Sequence, residues 1–137
     1  MKYYAVIDTN VIVSALLTHN IESATVKVVE AFLMDKIIPL YNADIINEYR
    51  DVLGRAKFRF TPRIIDYYIN AIHEKGISAE RISSGEFFPD PDDAVFYEVA
   101  LSKEDAYLVT GNTKHFPKKP IVVTPAEMLE ILESQER

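Results

Sequence analysis

The sequence predicts an α/β protein, a three-layer α/β/α sandwich with a central parallel sheet, and three observations carry that expectation. Short apolar runs rich in β-branched and aromatic residues, such as Tyr3–Ile7, read as strands buried on both faces. Between the runs lie stretches whose apolar residues recur at helical spacing. Helix-start signatures mark the junctions, so strands alternate with helices and the sheet is built from crossovers.

Residues 3–17, YYAVIDTNVIVSALL, organise the rest. The first strand ends at Asp8, and Thr9 or Asn10 is expected to cap a helix through about Leu17, since either side chain accepts from orphan amides of the first turn. A second helix is expected over about 22–35, where Ala24, Val28, Ala31 and Phe32 share a face. Residues 37–41 form a short strand, and Asn42 caps a helix over 43–56 that ends near Gly54. Thr61-Pro62 opens a helix to Lys75, with Gly76 as a left-handed cap. Residues 77–90 show no clear period, and Phe87-Phe88-Pro89 leads into a helix over 91–102. Strands follow at 107–111 and 121–124. Thr124-Pro125-Ala126-Glu127 combines a cap, a proline at the first helical position and an acid three residues on, so a final helix carries Met128, Leu129, Ile131 and Leu132.

No repeat, low-complexity stretch or linker divides the 137 residues, so a single domain over 1–137 is expected. The absence of cysteine excludes disulfides, thiolate metal sites and a cysteine nucleophile, and fits a reducing compartment. The apolar runs are too short for a membrane span and the first residues do not read as a signal segment, so the expected location is cytoplasmic. A net charge of −6 argues against gripping nucleic acid by bulk electrostatics, yet leaves room for a local basic strip beside an acidic pocket.

Three acids from separate elements aim at one end of the sheet. Asp8 lies at the carboxyl end of a central strand, where open α/β sheets place ligands, and reads either as a cap or as a metal ligand. Glu48 lies three residues after Ile45 and four before Val52, on the inward side of its helix, although a glutamate there can snorkel outward. Asp93, in the run Asp90-Pro91-Asp92-Asp93, lies three before Phe96 and seven before Ala100, again on an inward line; first-turn acids also complement a helix dipole. Two unit charges about 4 Å apart repel by roughly 4 kcal/mol at an effective dielectric near 20. Three such carboxylates therefore take up protons or bind a cation. Oxygen ligands without His or Cys select hard ions, Mg²⁺ or Mn²⁺, which serve phosphoryl chemistry.

The segments IDTNVIVSAL at 7–16, NADIINEYRDVL at 42–53, DPDDAVFYEVAL at 90–101 and YLVTGNTKHF at 107–116 resemble, in order and spacing, the successive motifs of the PIN-domain nucleases. They are most similar to the VapC-like branch, the toxin components of toxin–antitoxin pairs. The resemblance implies a PIN-like, Rossmann-like sandwich, a metal-dependent RNase acting on RNA, a cognate antitoxin and a homodimer. It assigns the family's first, second and third acids to Asp8, Glu48 and Asp93. Thr9 and Asn10 match the hydroxyl and amide after the first acid, with capping an equal reading for Asn10. The family often has a fourth acid after the TG of its last motif. Here that position is Asn112, which can ligate or orient water but brings no charge, so one metal ion is better supported than two.

Arg55, Lys57, Arg59 and Arg63, interleaved with Phe58 and Phe60, suit phosphate contacts and base stacking, or form a solvated loop whose rings tuck inward. Lys114, His115, Lys118 and Lys119 make a second basic patch. Two rival functions remain. An aspartyl-phosphate phosphatase would want an acid at position 10, which is Asn10. A PIN-like scaffold that binds RNA or protein without cutting draws its support from Asn112.

Overall fold

The computed structural model describes residues 2–136; residues 1 and 137, the ends of the expected single domain, lie outside the described residues. The chain runs β1 (Tyr3–Ile7), α1 (Thr9–Leu17), α2 (Ala24–Leu33), β2 (Ile37–Tyr41), α3 (Ala43–Leu53), α4 (Pro62–Lys75), β3 (Ile77–Ser78), α5 (Pro91–Leu101), β4 (Tyr107–Val109), β5 (Val122–Val123) and α6 (Pro125–Glu136). Short 3₁₀ turns at Ala56–Phe58 and Thr113–His115 follow α3 and β4. All five strands pair in parallel, in the order β3-β2-β1-β4-β5. Helices α1, α2 and α6 pack together in one group, and α3, α4 and α5 in another, as a sandwich requires.

This order creates the feature that matters for function. The chain leaves β1 toward β2 on one side and later returns to β4 on the other, so the order in which strands are added reverses between β1 and β4. The crevice beyond the carboxyl ends of those two strands is where doubly wound sheets bind ligands. Val6 and Leu108, neighbours in the β1–β4 register, are fully buried, as both faces of a covered parallel sheet demand.

The capping chemistry formed much as the residue types dictate. Ser23, Asn42 and Thr61 each accept a backbone N–H from the first turn of α2, α3 and α4. Thr124 and Glu127 form a reciprocal capping box at α6, at 3.1 and 2.8 Å. Helix α3 stops at Leu53, capped by Gly54, rather than reaching residue 56.

Gly76 corrects the expectation of a left-handed cap: its φ is −93° and its backbone is extended. The chain passes straight from α4 into β3, an edge strand hidden in the stretch without a clear period. A Cβ at Gly76 would come within 2.5 Å of the carbonyl oxygens of both Ile72 and Pro39. Close approach to β2, not a positive φ, is what requires glycine there. Among the described residues no helix is long and apolar enough to cross a membrane.

Candidate active site

The site begins with the register of the two central strands. Ile7 pairs with Val109, so the residues that follow, Asp8 and Thr110, emerge side by side at the sheet edge. The Asp8 amide donates to the Val109 carbonyl at 2.9 Å, extending the ladder one step beyond β1. The Thr110 hydroxyl then donates to the Asp8 carboxylate at 2.8 Å. Asp8 and Thr110 are both buried, so this is a charge-assisted bond shielded from water.

Asp8 occupies the N-cap position of α1, but its side chain is engaged by Thr110 and Asn10 rather than by a regular capping hydrogen bond. The expectation that Thr9 or Asn10 caps α1 is also overturned. Thr9 is already the first helical residue, and its buried hydroxyl has no hydrogen-bond partner among the described residues. Asn10 reaches sideways instead: its Nδ2 donates to Asp8 Oδ2 at 3.2 Å, and its Oδ1 accepts from the Gly111 amide at 3.1 Å. It thereby staples the loop after β4 to the start of α1. Asn112 joins through its backbone, its amide donating to the Thr110 hydroxyl at 3.0 Å, while its side chain is exposed.

Asp93 enters from the first turn of α5, which Asp90 opens by accepting the Asp92 amide at 2.9 Å. Phe96 and Ala100 anchor the inward line of α5, and Asp93 sits half-buried at its upper end. Burial first, and then the charge of Asp8, raise its carboxyl from 3.8 to about 6. Burial also raises Asp8, against the opposing pull of Thr110 and the amides of Thr9 and Asn10. The charge of Asp8 therefore works against the charged form of Asp93. His115 faces Asp93 from the turn after β4, with Nδ1 3.7 Å from Oδ2.

Glu48 lies on α3, which a buried hydrogen bond from the Tyr49 hydroxyl to the Ile7 carbonyl ties to the end of β1. Its side chain is half-buried and its carboxyl is raised by burial and by the charge of Asp92. It borders a cavity of about 330 Å³ between α3 and α5, together with Asp44, Asp51 and Asp92. The structure thus brings Asp93 under the charge of Asp8 and leaves Glu48 on the lip with Asp92. Among the described residues no three His, Asp or Glu side chains group tightly enough to hold an ion between them.

The basic loop after α3 divides. Arg55 pairs with Asp51 at 3.4 Å and lowers the Glu48 carboxyl, so it belongs to the lip. Phe58 and Phe60 stack on each other at 5.5 Å, with Lys57 over the Phe58 ring, and both rings are half-buried. Arg59 is exposed, and Arg63 borders an apolar cavity with Leu16, Ile64 and Tyr67.

Three residues of consequence had no role in the sequence reading. Thr110 holds Asp8, and its signal is positional: it follows an apolar strand in the same way as Asp8 does. The Tyr49 hydroxyl lies on the inward side of α3, where helical spacing gives no sign of its partner, the Ile7 carbonyl. Glu98 is a buried carboxylate that accepts from Arg81 Nε and Nη2 at 2.8 and 2.6 Å and from the Ser84 amide and hydroxyl at 2.8 and 2.9 Å. Despite burial, these donors hold its carboxyl below the usual range. The clasp fastens the strap before α5 to that helix.

A doubly wound parallel sheet with two acids at its switch point defines a class: an α/β domain with a ligand crevice beyond β1 and β4. A family model described as PIN domain matches residues 4–114, and the chain belongs to that family of nucleases. The match covers β1 to β4 and takes in Asp8, Glu48, Asp93 and Asn112. No curated protein matches the chain.

Proposed function

We propose that the protein is a divalent-metal-dependent endoribonuclease that hydrolyses RNA phosphodiester bonds, and that it serves as the toxin of a toxin–antitoxin pair. The observation that carries the reading is the Asp8–Asp93 pair, two oxygen donors from distant parts of the chain, with burial raising both carboxyls and the charge of Asp8 raising Asp93 further. A hard cation relieves that repulsion, and Mg²⁺ needs only one or two protein carboxylates because it keeps several waters. The donor set fits: Asp8 and Asp93 would hold the ion, with Glu48 completing the site from the lip. Mg²⁺ or Mn²⁺ held there supplies Lewis acidity toward water and toward the phosphoryl oxygens.

The chain's own residues do the remaining work. Thr110 and Asn10 fix the Asp8 carboxylate, so it does not reorganise when a charged substrate arrives. The partnerless Thr9 hydroxyl beside Asp8 is available to an ordered water. Glu48, half-exposed and with its carboxyl raised by burial, would orient the attacking water and accept its proton. Asn112 supports the turn through its backbone and leaves its side-chain amide free. The 3′ oxygen departs in line with the incoming water.

The antitoxin partner and the homodimer extend the reading from the family to this chain. Exposed Leu17, Ile64 and Tyr67 supply apolar surface suited to a protein partner. Work in the cytoplasm accords with the cysteine-free sequence. A second reading, a scaffold that binds RNA or protein with weak or no cutting, is favoured by the outward position of Glu48 and by Asn112.

The test is cleavage of a mixed panel of end-labelled RNAs by the purified protein, with Mn²⁺ or Mg²⁺ against chelator, beside Asp8→Asn. Metal-dependent cuts that fall more than about 100-fold in the variant are expected. Equal cleavage by the two proteins would remove Asp8 from the mechanism, and no cleavage together with no metal effect on melting would favour the scaffold.

A further inference from the structure

An acidic chain must still hold a polyanion, and the charge around Asp8 and Asp93 is unevenly divided. On the Glu48 side the cavity is walled by Asp44, Asp51 and Asp92, and both cations near it are already engaged, Arg55 with Asp51 and Arg81 with Glu98. On the opposite side, chain 113–119 folds over β4 and β5 around a groove of about 430 Å³ bordered by Lys114, Phe116, Pro117, Lys118 and Lys119. Lys114 and Lys118 make no ion pair among the described residues, and Lys119 only reaches Glu86 at 4.0 Å. The groove has a firm base, because Phe116 is buried against Phe88.

The groove is also joined directly to the candidate site. Within the same turn His115 faces Asp93, and the Asn112 amide binds the Thr110 hydroxyl that holds Asp8. A phosphate chain crossing the Asp8–Asp93 pair meets repulsion toward α3 and free cations toward β5.

We propose that this groove is the subsite for the RNA strand flanking the scissile phosphate, with Lys114, Lys118 and Lys119 taking successive backbone phosphates. The apolar lining of Pro117 and Val122 accepts the ribose or base edge of an unpaired nucleotide, so the strand there is single. The proposal rests on the nuclease reading above and adds the direction in which the substrate leaves the site.

The test measures binding of a fluorescein-labelled oligouridine by anisotropy, in chelator, across a salt series. Lys114→Gln/Lys118→Gln/Lys119→Gln is compared with wild type and with a rival triple, Lys57→Gln/Arg59→Gln/Arg63→Gln. Each phosphate contact on a single strand contributes about 0.7 to the slope of log affinity against log salt. The groove triple is therefore expected to flatten the slope by about 2 and to weaken binding roughly 10- to 100-fold near 0.1 M salt. Its KM for cleavage is expected to rise by the same factor. Single substitutions, each flattening the slope by about 0.7, serve if the triple does not fold.

No binding by wild type, an unchanged slope in the groove triple, or a loss confined to the rival triple would overturn the proposal. Weakened binding by the groove triple in a protein that cleaves nothing would preserve the groove and sink the nuclease. Normal cleavage with an unaltered KM in that triple would do the reverse.

Discussion

Asp8 and Glu48 carry the same charge toward the same edge of the sheet, yet the fold supports them differently. Asp8 is buried, receives the Thr110 hydroxyl and the Asn10 amide, and is flanked by a ladder bond to Val109. Glu48 stands half-exposed on a helix surface beside Asp92 and Asp51. A buried carboxylate costs several kcal/mol unless its oxygens are satisfied, so Asp8 exists only because two strands and a helix start converge on it. Glu48 carries no such requirement and keeps its freedom to move. The comparison separates a rigid floor from an adaptable lip.

The largest effect is expected where the floor is held. Thr110→Val keeps the shape of the side chain but removes both the donor to Asp8 and the acceptor for the Asn112 amide. Chemical denaturation should show a loss of about 1–3 kcal/mol, because a buried charged group and a backbone N–H lose partners together. Cleavage should fall roughly 10- to 100-fold, the usual range for a group that orients a ligand. A variant as stable and as active as wild type would mean that the floor is not held in this way.

A smaller effect separates Asp93 from both. Its carboxyl lies at about 6 in the fold against 3.8 in an open chain, so across that interval the folded state binds more protons than the unfolded state. Stability in chelator is therefore greatest, for this group, below the lower value. It falls as pH rises to about 6 and is level above it. With allowance for the part of the side chain that water screens, the fall amounts to about 1–2 kcal/mol. Asp93→Asn should melt higher than wild type at neutral pH without metal and show a shallower descent across the window. Parallel pH profiles for the two proteins would break the link between Asp93 and its neighbour.

The alternation of strands and helices was legible because it rests on local signals: apolar period, caps, and prolines at first helical positions. Asp8 and Asp93 were legible for a related reason, each being a charge where the local pattern demanded an apolar or turn residue. Strand β3 escaped because two exposed edge residues carry no period, and only the register with Leu40 and Tyr41 makes them a strand. The Asn10 staple and the Glu98 clasp escaped because their partners are distant in sequence: Gly111 for one, Arg81 and Ser84 for the other. Helical spacing placed Glu48 on the inward side but could not say that its nearest charge would be Asp92 on α5. Spacing encodes a face, while pairing between elements is decided only when they pack.

The smallest effect is expected at the lip. Glu48→Gln removes a charge whose neighbours are Asp92, Asp51 and Asp90, so repulsion is relieved and stability in chelator should change by no more than about 0.5 kcal/mol. Cleavage should fall by about 10-fold, well short of the Asp8→Asn loss, if Glu48 only orients water from outside the paired acids. A loss equal to that of Asp8→Asn would show that Glu48 swings inward when metal and RNA arrive. The lip would then be part of the floor in the working state, at the cost of an ordering step that a metal-dependent change in the exchange of α3 amides should reveal. An unaltered rate would leave the chemistry to Asp8 and Asp93 alone.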